Sequence, residues 1–140
     1  MQYNPGMQNL KTITIRLKPG QDLMREMDRL AHDHQLEAAC VLTCVGSLTT
    51  AVLRFANKGH TDTLNGHFEI VSLTGTLSKH GSHYHISISD GSGKTVGAHL
   101  MEGCKVYTTA EIVIGVIEGV SFQRTMCDQS GYPELDVKQL

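Results

Sequence analysis

The sequence predicts an α+β fold in which an antiparallel β-sheet or partial barrel packs with one main helix. Segments with the alternating or continuous apolar pattern of strands outnumber those with helical periodicity. Most connections between them are too short to hold a crossover helix, which favours antiparallel pairing. A chain of 140 residues is long enough for one core. We predict a single domain over residues 1–140, with its core in about 10–122 and a polar terminal extension in 123–140.

The first strand and the helix follow from two different periodicities. Residues 12–17 alternate, which places Ile13, Ile15 and Leu17 on one side of a strand that ends at Pro19-Gly20. Residues 21–36 then carry an apolar stripe at helical spacing, with polar residues left to face water. Its predicted members are Leu23, Met27, Leu30 and either Ala31 or His34.

The middle of the chain predicts strands. Residues 38–56 contain two apolar, β-branched segments, and Gly46-Ser47 between them indicates a turn. Residues 57–66 are polar and predict a loop. Residues 67–78 then resume a strand, with Phe68, Ile70 and Leu73 facing inward and Gly75 marking a bulge or bend.

Histidines converge on one hairpin of the predicted sheet. In residues 82–90, Tyr84, Ile86 and Ile88 point to one face, and His83 and His85 point to the other. If residues 91–93 form a three-residue loop, the numbers of paired residues sum to 184, so His85 lies opposite His99. Opposed side chains share a face, about 4.5 to 5.5 Å apart at Cβ.

This arrangement leaves two interpretations open. Imidazole nitrogens bind divalent metals, and three histidines with an open water position are the usual layout of a catalytic zinc site. His83, His85 and His99 are therefore candidate ligands of a divalent metal such as Zn²⁺. The alternative is an ordinary solvated strand face, and a loop one residue longer or shorter would turn His99 to the other side.

Two further residues are weaker candidates for chemistry. Glu111 stands among apolar residues of a strand predicted to be covered on both faces, and it is a candidate base or a partner of a metal ligand. Cys104 follows Gly103 in a predicted turn and could be a nucleophile. A single cysteine in an apolar neighbourhood is more often buried and inert.

Composition and cysteine usage limit the partners and the location. The 12 Lys and Arg residues against 14 Asp and Glu give a net charge of −2, so no overall positive field attracts nucleic acid. Cys40 and Cys44 on one strand would lie about 13 Å apart, beyond the roughly 7 Å limit for a disulfide. Without an export signal or a membrane-length apolar run, reduced thiols predict a cytoplasmic protein with no membrane partner.

From about Gly66 to Ile114 the sequence resembles the plants-and-prokaryotes-conserved (PPC) domain, a family also described as DNA-binding. The matching stretches are GHFEIVSLTGTLS and HYHISISDGSGKTVGAHLMEGCKVYTTAEIVI. The resemblance implies a compact antiparallel α+β homotrimer. The plant members carry AT-hooks that enter the DNA minor groove, and this sequence has none, so it resembles the stand-alone prokaryotic type.

The resemblance also assigns roles to particular residues. Gly66, Phe68, Glu69 and Ile70 match the plant partner-binding motif, with His67 in place of its arginine. His83, His85 and His99 match histidines that recur in stand-alone members and look like a metal-binding triad.

Three functions remain open from the sequence. The first is a homotrimer with a three-histidine site for a metal or a small-molecule ligand. The second is a DNA-associated regulator, for which Lys and Arg would have to gather on one face of the trimer. The candidates for that face are Lys11, Arg16, Lys18, Arg25 and Arg29. The third is an assembly module that binds another protein near Phe68 to Ile70.

Overall fold

Strands dominate the computed structural model, which describes residues 6–140. In chain order the elements are β1 (Leu10–Leu17), α1 (Leu23–Asp33), β2 (Ala39–Arg54), β3 (Asp62–Ser78), β4 (Gly81–Ser89), β5 (Thr95–Leu100), β6 (Lys105–Ile117), β7 (Val120–Cys127) and β8 (Tyr132–Gln139). The first six strands form one antiparallel sheet in the order β1-β6-β2-β3-β4-β5. The predicted α+β class is confirmed.

The sheet closes on itself at one end of β2. Along most of its 16 residues β2 pairs with β6 on one side and with β3 on the other. At the C-terminal end of β2, strand β5 takes the place of β6 as the neighbour: Leu53 and Arg54 pair with Leu100 and His99. Strands β2, β3, β4 and β5 therefore form a closed ring, and β6 and β1 extend from it as a flap. This is the predicted partial barrel.

Helix α1 packs through the apolar stripe predicted from its sequence. Leu23, Met27 and Ala31 are fully buried at successive i, i+4 positions, and His34 is exposed. The helix begins at Asp22, whose carboxylate accepts the backbone N–H of Arg25 at 3.3 Å. The buried stripe packs the helix against the core of the sheet. Within residues 6–140, no helix is long and apolar enough to cross a membrane.

The turn predicted at Gly46-Ser47 is wrong, because β2 runs through it without a break. Gly46 pairs with Ala110 of β6, and a Cβ at position 46 would overlap the carbonyl oxygen of Thr109. The glycine therefore permits close approach of two backbones inside the sheet. A glycine in an apolar strand and a glycine in a turn look alike in a single sequence.

Strand β3 is longer than predicted, and its bulge lies elsewhere. It begins at Asp62, so the second half of the predicted loop at 57–66 belongs to a strand. The register with β4 shifts between Ile70 and Ser72, whereas Gly75 pairs regularly with Tyr84. A Cβ at Gly75 would overlap the carbonyl oxygen of His83, so this glycine also serves a close approach.

The residues predicted as a polar terminal extension form a β-hairpin. Strands β7 and β8 pair along their whole length as a separate two-stranded sheet. The hairpin is held to the barrel because Ser78 donates its hydroxyl to the carbonyl of Phe122 at 2.7 Å, and the Phe122 N–H donates to the Glu37 carbonyl at 2.8 Å. Only two of its 16 strand residues, Val120 and Ser121, are buried, so no apolar alternation marks it in the sequence.

Candidate metal centre

The loop between β4 and β5 has the length on which the histidine prediction depends. The Asp90 N–H donates to the Lys94 carbonyl at 3.0 Å, and the Gly93 N–H donates to the Asp90 carbonyl at 2.9 Å. Gly93 has φ +84°, the left-handed conformation that such a loop places at its third residue. The Asp90 carboxylate also accepts the N–H groups of Ser92 and Lys94 at 2.9 and 3.0 Å. The loop therefore consists of residues 91–93, as predicted.

The strand register brings the three histidines together. His85 pairs with His99 across β4 and β5, and His83 lies two residues before His85 on the same face. Ring centroids are 4.7 Å apart for His83 and His99, 4.9 Å for His83 and His85, and 5.3 Å for His85 and His99. Each ring offers one nitrogen such that the three nitrogens lie within 4.8 Å of one another. Alternation and loop length thus produce the predicted cluster.

The closest contact in this cluster joins two ring nitrogens that point at each other. His83 Nε2 and His85 Nε2 are 3.2 Å apart. Two ligand nitrogens at 2.0–2.1 Å from one tetrahedral metal would be separated by about 3.3 Å. Within residues 6–140 these rings make no hydrogen bond to a carboxylate or a carbonyl group. The donor set therefore fits a single divalent ion.

The surroundings favour the neutral, metal-binding form of two imidazoles, His83 and His99. Burial lowers the pKa of His99 to about 4, and the neighbouring His83 and Arg54 contribute in the same direction. Burial also lowers the pKa of His83, as do His85 and Arg124. A metal ligand must be deprotonated, so these shifts leave the ring nitrogens of His83 and His99 available at neutral pH.

The cluster forms part of the wall of a cavity of about 960 Å³. Three segments surround it: the end of β2 with the loop that follows, the hairpin β4–β5, and the hairpin β7–β8. The lining residues that were not identified from the sequence include three charged ones, Arg54, Arg124 and Glu134. Closure of β2 onto β5 brings Arg54 there, and the C-terminal hairpin supplies the other two.

The family follows from comparison with known proteins. The model of the Plants and Prokaryotes Conserved (PCC) domain, abbreviated PPC above, matches residues 5–118. The chain belongs to this family. The C-terminal hairpin β7–β8 lies beyond the matched residues.

Two curated relatives match almost the whole of this chain. Bifunctional protein GlmU of Synechococcus sp. (strain JA-2-3B'a(2-13)) is 42% identical over 134 residues, which are 96% of this chain and 21% of that protein. Bifunctional protein GlmU of strain JA-3-3Ab is 40% identical over 132 residues, with 94% and 21% covered. The chain thus spans about a fifth of the length of these curated relatives.

Solved structures share the whole fold. A hypothetical protein from Salmonella enterica is 40% identical with a TM-score of 0.93, over 96% of this chain and 97% of that one. A metal-containing protein from Archaeoglobus fulgidus has a TM-score of 0.83 at 23% identity, covering 97% and 99%. A PPC protein from Pyrococcus horikoshii has a TM-score of 0.80 at 24% identity, covering 99% and 100%. The likeness of the last two shows the fold.

The other candidates for chemistry lie away from the cavity of this PCC domain. Glu111 is exposed on β6, in register between Arg16 of β1 and Val45 of β2, and it does not line the cavity. Cys104 is fully buried, and burial raises the pKa of its thiol to about 11, as expected for an inert core cysteine. All four cysteines are free.

The residues matched to the plant partner-binding motif divide between core and surface. Ile70 is buried in the core and Phe68 is half-buried against it. Gly66 lies under the Phe68 ring, since a Cβ there would be 3.2 Å from the Phe68 Cζ. Glu69 is exposed, with Ser47 and Ser89 as its neighbours on the adjoining strands. A partner could therefore reach Gly66 and Glu69 directly, whereas Ile70 supports the fold.

Proposed function

We propose that this PCC domain is a metal-binding protein whose His83, His85 and His99 hold one divalent ion. The observation that carries the proposal is the convergence of three ring nitrogens within 4.8 Å of one another. Nitrogen-only donor sets suit zinc and its late first-row neighbours, and Zn²⁺ is the ion we propose. A related fold in Archaeoglobus fulgidus belongs to a protein described as metal-containing, which supports the proposal.

The facing ring nitrogens of the cluster favour a cation between them. Neutral imidazoles carry a proton on one nitrogen and a lone pair on the other. The facing Nε2 atoms of His83 and His85 are 3.2 Å apart, so two lone pairs would repel unless a proton or a metal lies between them. A divalent ion satisfies all three rings at once, whereas one proton can bridge only two nitrogens.

Three protein ligands would leave a further coordination position facing the cavity. A zinc ion with an open position supplies Lewis-acid chemistry and lowers the pKa of bound water. Glu134 is the carboxylate that lines this cavity, and it is our candidate for a proton acceptor or an orienting group. Glu111, the base considered from the sequence, lies on another part of the sheet.

Elemental analysis tests this proposal directly. The full chain is purified without a histidine tag and without chelators, and its metal content is measured by mass spectrometry. We expect close to one equivalent of metal per chain. The variant carrying His85→Ala and His99→Ala should contain almost none, because the one ligand left, His83, binds a divalent ion only weakly.

The matched control carries His32→Ala and His60→Ala, which removes two exposed histidines outside the cavity. It should keep the full metal content. Circular dichroism of all three proteins verifies that the fold is retained. Equal metal content in the wild type and in the His85/His99 variant would reject the proposal.

Assembly as a homotrimer belongs to the same proposal, and exposed apolar residues on the outer surface of the sheet support it. Val45 on β2 and Val71 on β3 are 59% and 57% exposed. Large apolar side chains grouped on a surface often mark an interface. DNA binding and protein-partner binding, the other functions that the sequence left open, stay predictions, as does the cytoplasmic location.

A further inference from the structure

We propose that the cavity beside the histidine cluster binds a small organic molecule through a carboxylate or phosphate group, with Arg54 and Arg124 contacting that group. This inference rests on the proposed metal site, because the same oxyanion would occupy or adjoin the open coordination position. Its basis is the charge of the cavity, the positions of the two guanidinium groups, and the room left beside them.

The cavity concentrates positive charge in a chain that is acidic overall. Three cationic side chains line it, Arg54, Lys58 and Arg124, against one carboxylate, Glu134. The whole chain has a formal net charge of −2. A divalent ion on the three histidines would add two further positive charges. A concave site with this balance attracts an anion.

The backbone register fixes Arg54 beside the cluster. Arg54 is the cross-strand partner of His99, at the point where β2 closes onto β5. Directly paired residues in an antiparallel sheet project from the same face. The Arg54 side chain therefore lies on the same face of the sheet as the ring of His99, and both line the cavity.

Arg124 is held beside the cluster from the opposite side. Its Nη2 donates to Thr76 Oγ1 at 2.8 Å. Thr76 on β3 is the cross-strand partner of His83, so this hydrogen bond fixes the guanidinium next to the His83 ring. The two arginines thus flank the three histidines from two different elements, β2 and β7. A ligand between them could accept hydrogen bonds from both.

Neither guanidinium has a carboxylate partner in the part of the chain that the structure describes. No Asp or Glu oxygen within residues 6–140 lies within 4.0 Å of a nitrogen of Arg54 or Arg124, although Glu134 shares the cavity. Burial lowers the pKa of Arg124 although the charge of Glu134 opposes the shift, so the desolvation of this guanidinium is only partly compensated. An oxyanion from a ligand would offset this cost through charge-assisted hydrogen bonds.

The cavity also has room and apolar wall for the body of an organic ligand. Its volume of about 960 Å³ lies within the range of small-molecule sites, roughly 300–1,000 Å³. Phe55, Ala98 and Pro133 provide apolar surface, and Tyr132 adds a ring at the edge. A bare inorganic ion would leave this surface without contacts. We therefore assign the site to a small organic acid or a phosphate monoester.

Titration of cobalt-substituted protein tests the inference. Co²⁺ is loaded in place of the native ion, and its visible absorption reports changes in coordination and nearby charge. The probes are benzoate and phenyl phosphate, which share a phenyl body and differ in the oxyanion, with phenol as the uncharged control. We expect a saturable change with at least one anion and none with phenol at constant ionic strength. The anion with the lower Kd then identifies the ligand as a carboxylate or a phosphate.

Arginine variants show whether the guanidinium groups bind the anion. Arg54→Gln and Arg124→Gln should each raise the Kd of the responding probe about tenfold or more, since each removes a charge-assisted contact. Arg16→Gln, on β1 and outside the cavity, should leave the Kd unchanged. A Kd unchanged in both cavity variants, or an equal response to phenol, would overturn the inference.

Metal content measured in the same samples distinguishes failure of the metal site from failure of the anion site. Full Co²⁺ loading with no response to either anion rejects the anion site and leaves the metal site standing. Failure of the wild type to retain Co²⁺ or any other divalent ion rejects the metal site, and with it the ligand site that depends on it.

Discussion

His85 and His99 lie directly opposite each other on strands β4 and β5, with their ring centroids 5.3 Å apart. This relationship follows from local chemistry, because Asp90 and Gly93 close a three-residue loop and so fix which residues face each other. His83 lies on the same face as His85, because residues two apart on a strand point to the same side. The candidate metal centre is therefore a consequence of hairpin register.

Replacing Gly75 by alanine should disturb the metal centre although no ligand is substituted. A Cβ at this position would overlap the carbonyl oxygen of His83, so β4 must move away from β3. We expect Gly75→Ala to lower the free energy of unfolding by about 1–3 kcal/mol, typical of overpacking, and to reduce metal content. Denaturant unfolding and elemental analysis measure the two effects.

Gly91→Ala is the matched control, since a Cβ there has no atom within 4 Å and Gly91 does not need the left-handed conformation. It should behave like the wild type in both measurements. If Gly75→Ala also matched the wild type, the close approach of β3 and β4 at this point would be refuted.

The histidines were predictable from the sequence, whereas their arginine neighbours were not. Alternation assigned His83 and His85 to one face, and the glycine-rich loop placed His99 beside them, all within about twenty residues of chain. Arg54 and Arg124 reach the same place through closure of the barrel and docking of the C-terminal hairpin. These are long-range contacts that no local pattern encodes.

Gly46 also shows that a local pattern cannot reveal a long-range contact. Gly46 predicted a turn because glycine is common in turns, yet it lies inside β2, where β6 approaches closely. The identity of the partner strand decides between these roles. The helix needed no such information, because the buried positions Leu23 and Met27 follow directly from its own periodicity.

Charges introduced at Val45 and Val71 should dissociate the predicted homotrimer. Both side chains are more than half exposed on neighbouring strands of the sheet. We expect the wild type to have the mass of three chains in light scattering coupled to size exclusion. The Val45→Glu, Val71→Glu variant should have the mass of one chain, because a buried interface does not tolerate unpaired charges.

The control for assembly is Met126→Glu, which adds a charge to an exposed apolar residue of the C-terminal hairpin. It should keep the wild-type mass. A wild type that elutes as a single chain would contradict the trimer, and a trimeric Val45/Val71 variant would exclude this surface as the interface.

Duplex DNA should bind this chain weakly or not at all. Five cationic residues were considered for a DNA-binding face, and three of them already form ion pairs: Lys11 with Glu118, Arg25 with Glu102, and Arg29 with Glu26. These pairs reduce the positive charge that can replace counterions on phosphate. Fluorescence anisotropy with a labelled duplex at low salt should show no saturable binding. Binding that weakens steeply as salt is raised would instead support a DNA-associated function.

Alkylation should distinguish Cys127 from Cys104 at neutral pH. Backbone N–H groups of Ser130 and Gln129 lower the pKa of the Cys127 thiol, whereas burial raises that of Cys104 to about 11. The thiolate is the reactive form, so native protein treated with iodoacetamide should be labelled first at Cys127, as measured by peptide mass spectrometry. Raising the pH should increase the thiolate fraction of Cys104 about tenfold per unit until its pKa is reached, whereas the fraction of Cys127 should level off at a lower pH because its pKa is lower. Cys127→Ser should remove the fast phase and leave the slow one. Equal rates at the two cysteines near pH 7 would contradict the assigned environments.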